Sequence, residues 1–202
     1  MSAPAGVVAV ERLPTQPEGR EAPEWWGVLA LIVIEGVVFT ALIASYFHFR
    51  TRHLEWPPPG IEPPELLLAS LNTVLLIASA LPVLLSVRAL RGGNERTPRW
   101  ALPVGMLMLV VFVAVKAYEY SHEPWGAGTH AYGSVVFTMT GLHLAHVSAV
   151  LLKTGVVWSY LLQGRVEARR PVPLEANALY WYFVIAVWIP LFTTIYLVPR
   201  IF

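Results

Sequence analysis

Three groups of residues in this 202-residue chain are of types that can do chemistry. Glu35 stands alone inside a long apolar run, His143 and His146 lie three apart in another, and Lys116 and Glu119 lie three apart in a third. An unpaired charge in apolar surroundings costs several kcal/mol, so a carboxyl such as Glu35 must be neutral or partnered. Two readings of it stand: a neutral acid that bonds to a neighbouring helix as packing glue, and a group that handles protons or regulates their movement. The two histidines share one face if the segment is helical, and imidazole is a ligand for iron, copper and zinc. Both lie on one segment, however, and His48, His53, His122 and His130 fall at or beyond the ends of apolar runs. The ligand count and carboxylate helpers of a redox site are missing, so no metal and no redox cofactor is expected in this chain. The absence of cysteine excludes disulfides and thiolate sites. Lys116 and Glu119 read as a local ion pair. Asn72 and Thr73 can hydrogen-bond between helices for about 1 kcal/mol each.

The elements that position these groups are membrane spans. The mean hydropathy is +0.58, with 56% apolar and 13% charged residues, and the charges gather in short blocks between long uncharged runs. That segregation places most of the apolar surface against lipid. The runs extend from Trp25 to about Phe49, Leu66 to Leu90, Trp100 to Tyr120, Tyr132 to Gln163, and Leu179 to Val198. Each reaches the roughly 20 residues that a hydrocarbon core of about 30 Å requires of a helix. The fold class is therefore all-α, a polytopic bundle of five transmembrane helices occupying residues 25–202 behind a polar tail, 1–24. That tail lacks the apolar core of a signal peptide. Pro82 and Pro190 predict kinks, and Pro64 with Glu65 a helix start. Gly133, Ser134 and Gly141 offer a small face for close helix packing, and Lys153 can snorkel to the membrane edge.

Arg12, Arg20, Arg88, Arg91, Arg96, Arg99, Arg165, Arg169 and Arg170 fall on one side of a five-span arrangement, and only Arg50, Arg52 and Arg200 on the other. The bias predicts a cytoplasmic N-terminus and an external C-terminus. A net charge of +1 without a basic stripe speaks against a nucleic-acid partner. Helical rise puts Glu35 roughly 15 Å into the first span. With spans one and four antiparallel, His143 comes to a similar depth, which predicts a Glu35–His143 hydrogen bond.

The same positions carry a resemblance. Ile34-Glu35-Gly36-Val37-Val38-Phe39 with Tyr46-Phe47-His48 resembles the glutamate-bearing helix of haem-copper oxidase subunit III. Leu71-Asn72-Thr73-Val74-Leu75-Leu76-Ile77-Ala78-Ser79 is similar to the next family helix. Lys116-Ala117-Tyr118-Glu119-Tyr120 is similar to the end of the one after. Tyr132-Gly133-Ser134 and Thr140-Gly141-Leu142-His143-Leu144-Ala145-His146-Val147 form the most specific match, and Tyr180-Trp181-Tyr182-Phe183-Val184 with Val187-Trp188 resembles the last helix. The likeness is to a short form without two additional N-terminal helices. Where the family commonly has His and, three residues on, Asp, this chain has Tyr182 and Ile185, so no role of that pair carries over.

The resemblance implies a non-catalytic core subunit beside catalytic subunit I, which holds the haems and copper and reduces oxygen to water while pumping protons. It implies phospholipid binding and support of assembly and proton uptake, in a multi-pass protein of a prokaryotic cell membrane. Two rivals share parts of the pattern: an accessory membrane subunit of a nitric oxide reductase, and a dehydrogenase membrane anchor with haem on His143 or His146. A small transporter built around Glu35 fits less well, because no inverted repeat or broken helix pair is visible.

Overall fold

A computed structural model describes residues 22–168 and 170–201; Arg12, Arg20 and nearly all of the predicted tail, and Arg169, lie outside the described residues. Helix α1 comprises Pro23–Thr51, α2 Leu66–Ala78, α3 Ala80–Arg91, α4 Arg96–His122, α5 Ala131–Leu162, α6 Val172–Phe192 and α7 Val198–Ile201. Among the described residues five helical stretches are long and apolar enough to cross a membrane: α1, α2 with α3, α4, α5, and α6 continued through α7. The five expected spans are present. Their helices run past the apolar runs because polar and proline-bearing ends such as Pro23, Arg96 and Val172 also fit a helix start or end.

The second span breaks at Ser79 rather than at Pro82. Pro82 has no N–H to offer and its ring crowds the backbone a turn earlier, so the disturbance appears three to four residues upstream. Trp181 Nε1 donates to Ser79 Oγ at 3.0 Å, which stabilises the break from the last span. Gly105 allows this approach, since a Cβ there would lie 3.3 Å from Pro82 and 3.4 Å from Trp181. Pro190 acts similarly, but downstream. Helix α6 opens at Thr193–Leu197 into one π-helical turn, closed by the Val198 N–H donating to Thr193 O. Pro64 and Glu65 precede α2 instead of filling its first turn: Glu65 is the N-cap and the helix starts at Leu66.

Helix α1 packs chiefly on α5 and α6, while α6 also meets α3 and α5 meets α4. Only 6% of the apolar window of α1 is buried, against 33–39% for the other spans, so α1 is the peripheral member. Helix α6 buries Tyr180, Trp181, Val184, Ile185 and Trp188. Polar bonds stitch this interior together. Asn72 Nδ2 donates to Phe112 O at 3.2 Å, Trp188 Nε1 to Thr73 Oγ1 at 2.8 Å, and Asn177 Nδ2 to Thr154 Oγ1 at 2.9 Å. At one end Arg91 Nε donates to Glu175 Oε1 at 2.7 Å; at the other Arg200 Nη2 donates to Pro64 O at 2.5 Å. The predicted small face for a neighbouring helix is not used within the chain. A Cβ on Gly141 would meet nothing within 4 Å, whereas one on Gly133 would sit 2.7 Å from Gly126 O, in the loop that precedes the same helix. Turn packing, not helix packing, needs that glycine.

Candidate functional site

The seam between α1, α5 and α6 collects Glu35, His146, Tyr180 and Lys153. Tyr180 donates its hydroxyl to Glu35 Oε1 at 3.1 Å, and His146 Nε2 lies 3.5 Å from the same oxygen. Lys153 Nζ stands 5.1 Å over the Tyr180 ring. The Lys153 chain therefore lies along an aromatic face within the seam, an alternative to simple snorkelling. Glu35 Oε2 is buried without a hydrogen-bond partner. The seam is only partly closed: the Glu35 and His146 side chains keep 17% and 15% of their exposure.

Glu35 and His143 do not pair. His143 is buried and its Nε2 donates to Val184 O at 3.1 Å, with Phe39, Phe112 and Trp188 around the ring. His143 instead packs beside Phe39, one turn along α1 from Glu35, and rotation about α5 turns it to the interior. His146, three residues on, is turned far enough round the helix to face α1. Glu35 thus has His146 and Tyr180 as partners.

The second cluster lies toward the other end of the bundle. Lys116 is 2% exposed and donates to Glu119 Oε2 and to Tyr196 OH, each at 2.5 Å. The rings of Trp188 and Tyr196 flank its ammonium at 5.1 and 5.0 Å. The predicted local ion pair exists, yet it is a buried tertiary network instead of an edge contact. The π-helical turn of α6 carries Tyr196 into it. An open recess of about 390 Å³ above it is lined by Glu62, Glu65, Glu119, His122, Glu123 and Arg200, among others. Glu123 lies just beyond α4. Burial raises its carboxyl above the ordinary range, the Glu119 charge adds to this, and Lys116 opposes it. Nearby on α4, Tyr118 is exposed, while Tyr120 donates to Thr140 Oγ1 at 2.6 Å.

The histidine pair does not fit a haem or copper ion. His143 Nε2 is committed to Val184 O and His146 Nδ1 to Leu142 O at 2.7 Å, while His146 Nε2 faces Glu35. Bis-imidazole ligation needs free nitrogens converging from facing helices. Among the described residues no group of three His, Cys, Asp or Glu could hold a metal ion. Tyr180, Trp181, Trp188, Tyr196 and Asn177 were not singled out by sequence for site roles. Their helix is apolar on every side, so nothing in its pattern tells which residue faces inward.

The sequence of this chain has counterparts elsewhere. The profile of one family, cytochrome c oxidase subunit III, matches residues 23–199. A protein named cytochrome c oxidase subunit 3 from Thermostichus vulcanus is 31% identical over 194 residues, covering 96% of this chain and 94% of the relative. The protein of that name from Synechocystis is 33% identical over 85% of this chain and 74% of its own length. That from Triticum aestivum is 33% identical over 85% and 67%. A profile match over residues 23–199, with a relative 31% identical matched over 94% of its own length, shows that the chain belongs to the cytochrome c oxidase subunit III family.

Proposed function

We propose that this chain is a non-catalytic core subunit of a haem-copper terminal oxidase, seated beside the catalytic subunit I that holds the haems and copper. The observation that carries this reading is the family match across all five spans. The commitment of both intramembrane histidines to protein partners supports a role without a redox centre of its own. The arginine bias of the loops supports an N-terminus in the cytoplasm of a prokaryotic cell. Phospholipid fills the exposed apolar sides of α1 and its neighbours, where Val33, Ile34 and Val37 face outward.

Within this subunit Glu35 is the proton-handling group and supports sustained proton uptake by the complex. His143, Asn72 and Thr73 hold the helices in register, and Glu119 fixes the outer end. To test the reading, the tagged chain is purified from its native membrane in mild detergent. The expected result is a complex that contains haem and copper and consumes oxygen. A complex that consumes nitric oxide and not oxygen, or a haem spectrum from the isolated chain, would refute it.

A further inference from the structure

The polar atoms of the seam impose a constraint on where its proton can be. His146 Nδ1 lies 2.7 Å from Leu142 O, and a carbonyl only accepts, so Nδ1 carries hydrogen. In the neutral ring Nε2 then has a lone pair, and it points at Glu35 Oε1 from 3.5 Å. A lone pair opposite a carboxylate oxygen is repulsive inside a membrane. One proton placed between the two atoms removes the repulsion in either position, as carboxylate with imidazolium or as carboxylic acid with imidazole. Both forms leave the couple neutral. Tyr180 donates to Glu35 Oε1 in both, so it need not reorganise.

We propose that Glu35 and His146 form a single proton-holding couple, with Tyr180 and Lys153 as its positioning residues. The proton passes from Nε2–H to Oε1 and back, and no bond to carbon changes. The charged and titratable groups that face the couple are Tyr180 from α6 and Lys153 from α5; His143 is turned to the interior, bonded to Val184 O. Lys153 is two turns along α5 from His146, about 10.5 Å by helical rise, and its ammonium stands over the Tyr180 ring. The two partners keep 15–17% exposure, on the lipid- or partner-facing side of the bundle, unlike the buried Lys116.

This inference rests on the proton-handling role proposed for Glu35 and adds its partner. The test is infrared spectroscopy of the intact complex with ring-¹⁵N histidine, the Glu35 band being the one lost in Glu35→Gln. In the wild type the Glu35 carboxyl band and one histidine ring band are expected to change together. His146→Gln abolishes the concerted change and leaves Glu35 as the carboxylic acid. Lys153→Met, which frees one face of the Tyr180 ring, weakens the concerted change. Bands that change independently, or a Glu35 band indifferent to His146→Gln, would overturn the couple; if His146→Gln fails to assemble, the wild type, with its Glu35 band assigned by Glu35→Gln, decides. A coupled signal together with normal turnover in Glu35→Gln would uphold the couple and reject its role in proton uptake.

Discussion

Two regions of this subunit are built from the same kinds of group, a carboxylate, a nitrogen base and a tyrosine, yet their packing differs. Around Lys116 the parts are closed: the ammonium is 2% exposed, the Glu119 side chain 11%, and the charges touch at 2.5 Å. Around Glu35 they are looser, with 17% and 15% exposure and a charge separation of 3.5 Å. The first arrangement lies between helices α4 and α6; the second faces the peripheral helix α1. A tight buried pair stabilises by not changing state, because losing either partner strands a charge. A loose pair at the periphery of the bundle can change its protonation without unfolding anything. The difference teaches that chemistry belongs where packing leaves slack, and that identical residue types do not imply identical roles.

Substitutions can break this contrast. The largest effect is expected from Lys116→Met, which leaves the Glu119 carboxylate buried beside Tyr196 alone. Removing one partner of a buried pair costs about 3–5 kcal/mol, read as lost yield and a lowered Tm in detergent. Lys116→Met with Glu119→Gln should recover part of that loss; no recovery would mean that the pair is not the cause. His143→Ala comes next. It opens a cavity among Phe39, Phe112 and Trp188 and frees Val184 O of its side-chain donor, at about 2–4 kcal/mol. A wild-type Tm and subunit yield would count against this assignment.

Tyr196→Phe sharpens the comparison, since it removes the hydroxyl that accepts from Lys116 and donates to Glu119 but keeps the ion pair. It should cost about 1–2 kcal/mol by thermal denaturation. Tyr180→Phe, its counterpart in the loose seam, should leave Tm nearly unchanged. Equal destabilisation by the two would erase the distinction. The smallest effect concerns Glu123, whose carboxyl is raised in the fold mainly by burial. The folded state then binds that proton more tightly than the unfolded chain, so its contribution is present below the ordinary carboxylate range and lost as pH rises through the raised value. Glu123→Gln should therefore raise Tm slightly at neutral pH and leave it little changed in acid. A pH-independent difference would contradict the assignment.

Much of this was legible in the sequence because the bilayer restricts the choices. Apolar runs of span length, separated by charged blocks, had to become helices, and Glu35 and the His143–His146 pair had to lie within spans. Depth is a one-dimensional quantity, and the seam also depends on rotation. Whether His143 or His146 meets Glu35 is decided by the turn between them, which no hydropathy pattern in α5 encodes. The same holds for Tyr196. Only the π-helical turn after Pro190 brings it to Lys116, and a proline shows that a helix is disturbed without showing which way it opens. Ser79, where the second span breaks, was masked because the effect of Pro82 is felt upstream of the residue that causes it.

The central claim, that the loose seam handles protons while the closed cluster holds the structure, is tested most directly with Glu35→Gln in the intact complex. Proton uptake and the lifetime of activity during continuous turnover are the quantities to follow. The account predicts wild-type assembly with slower proton uptake or a shortened active lifetime. Unchanged uptake and unchanged lifetime in a fully assembled complex would contradict it.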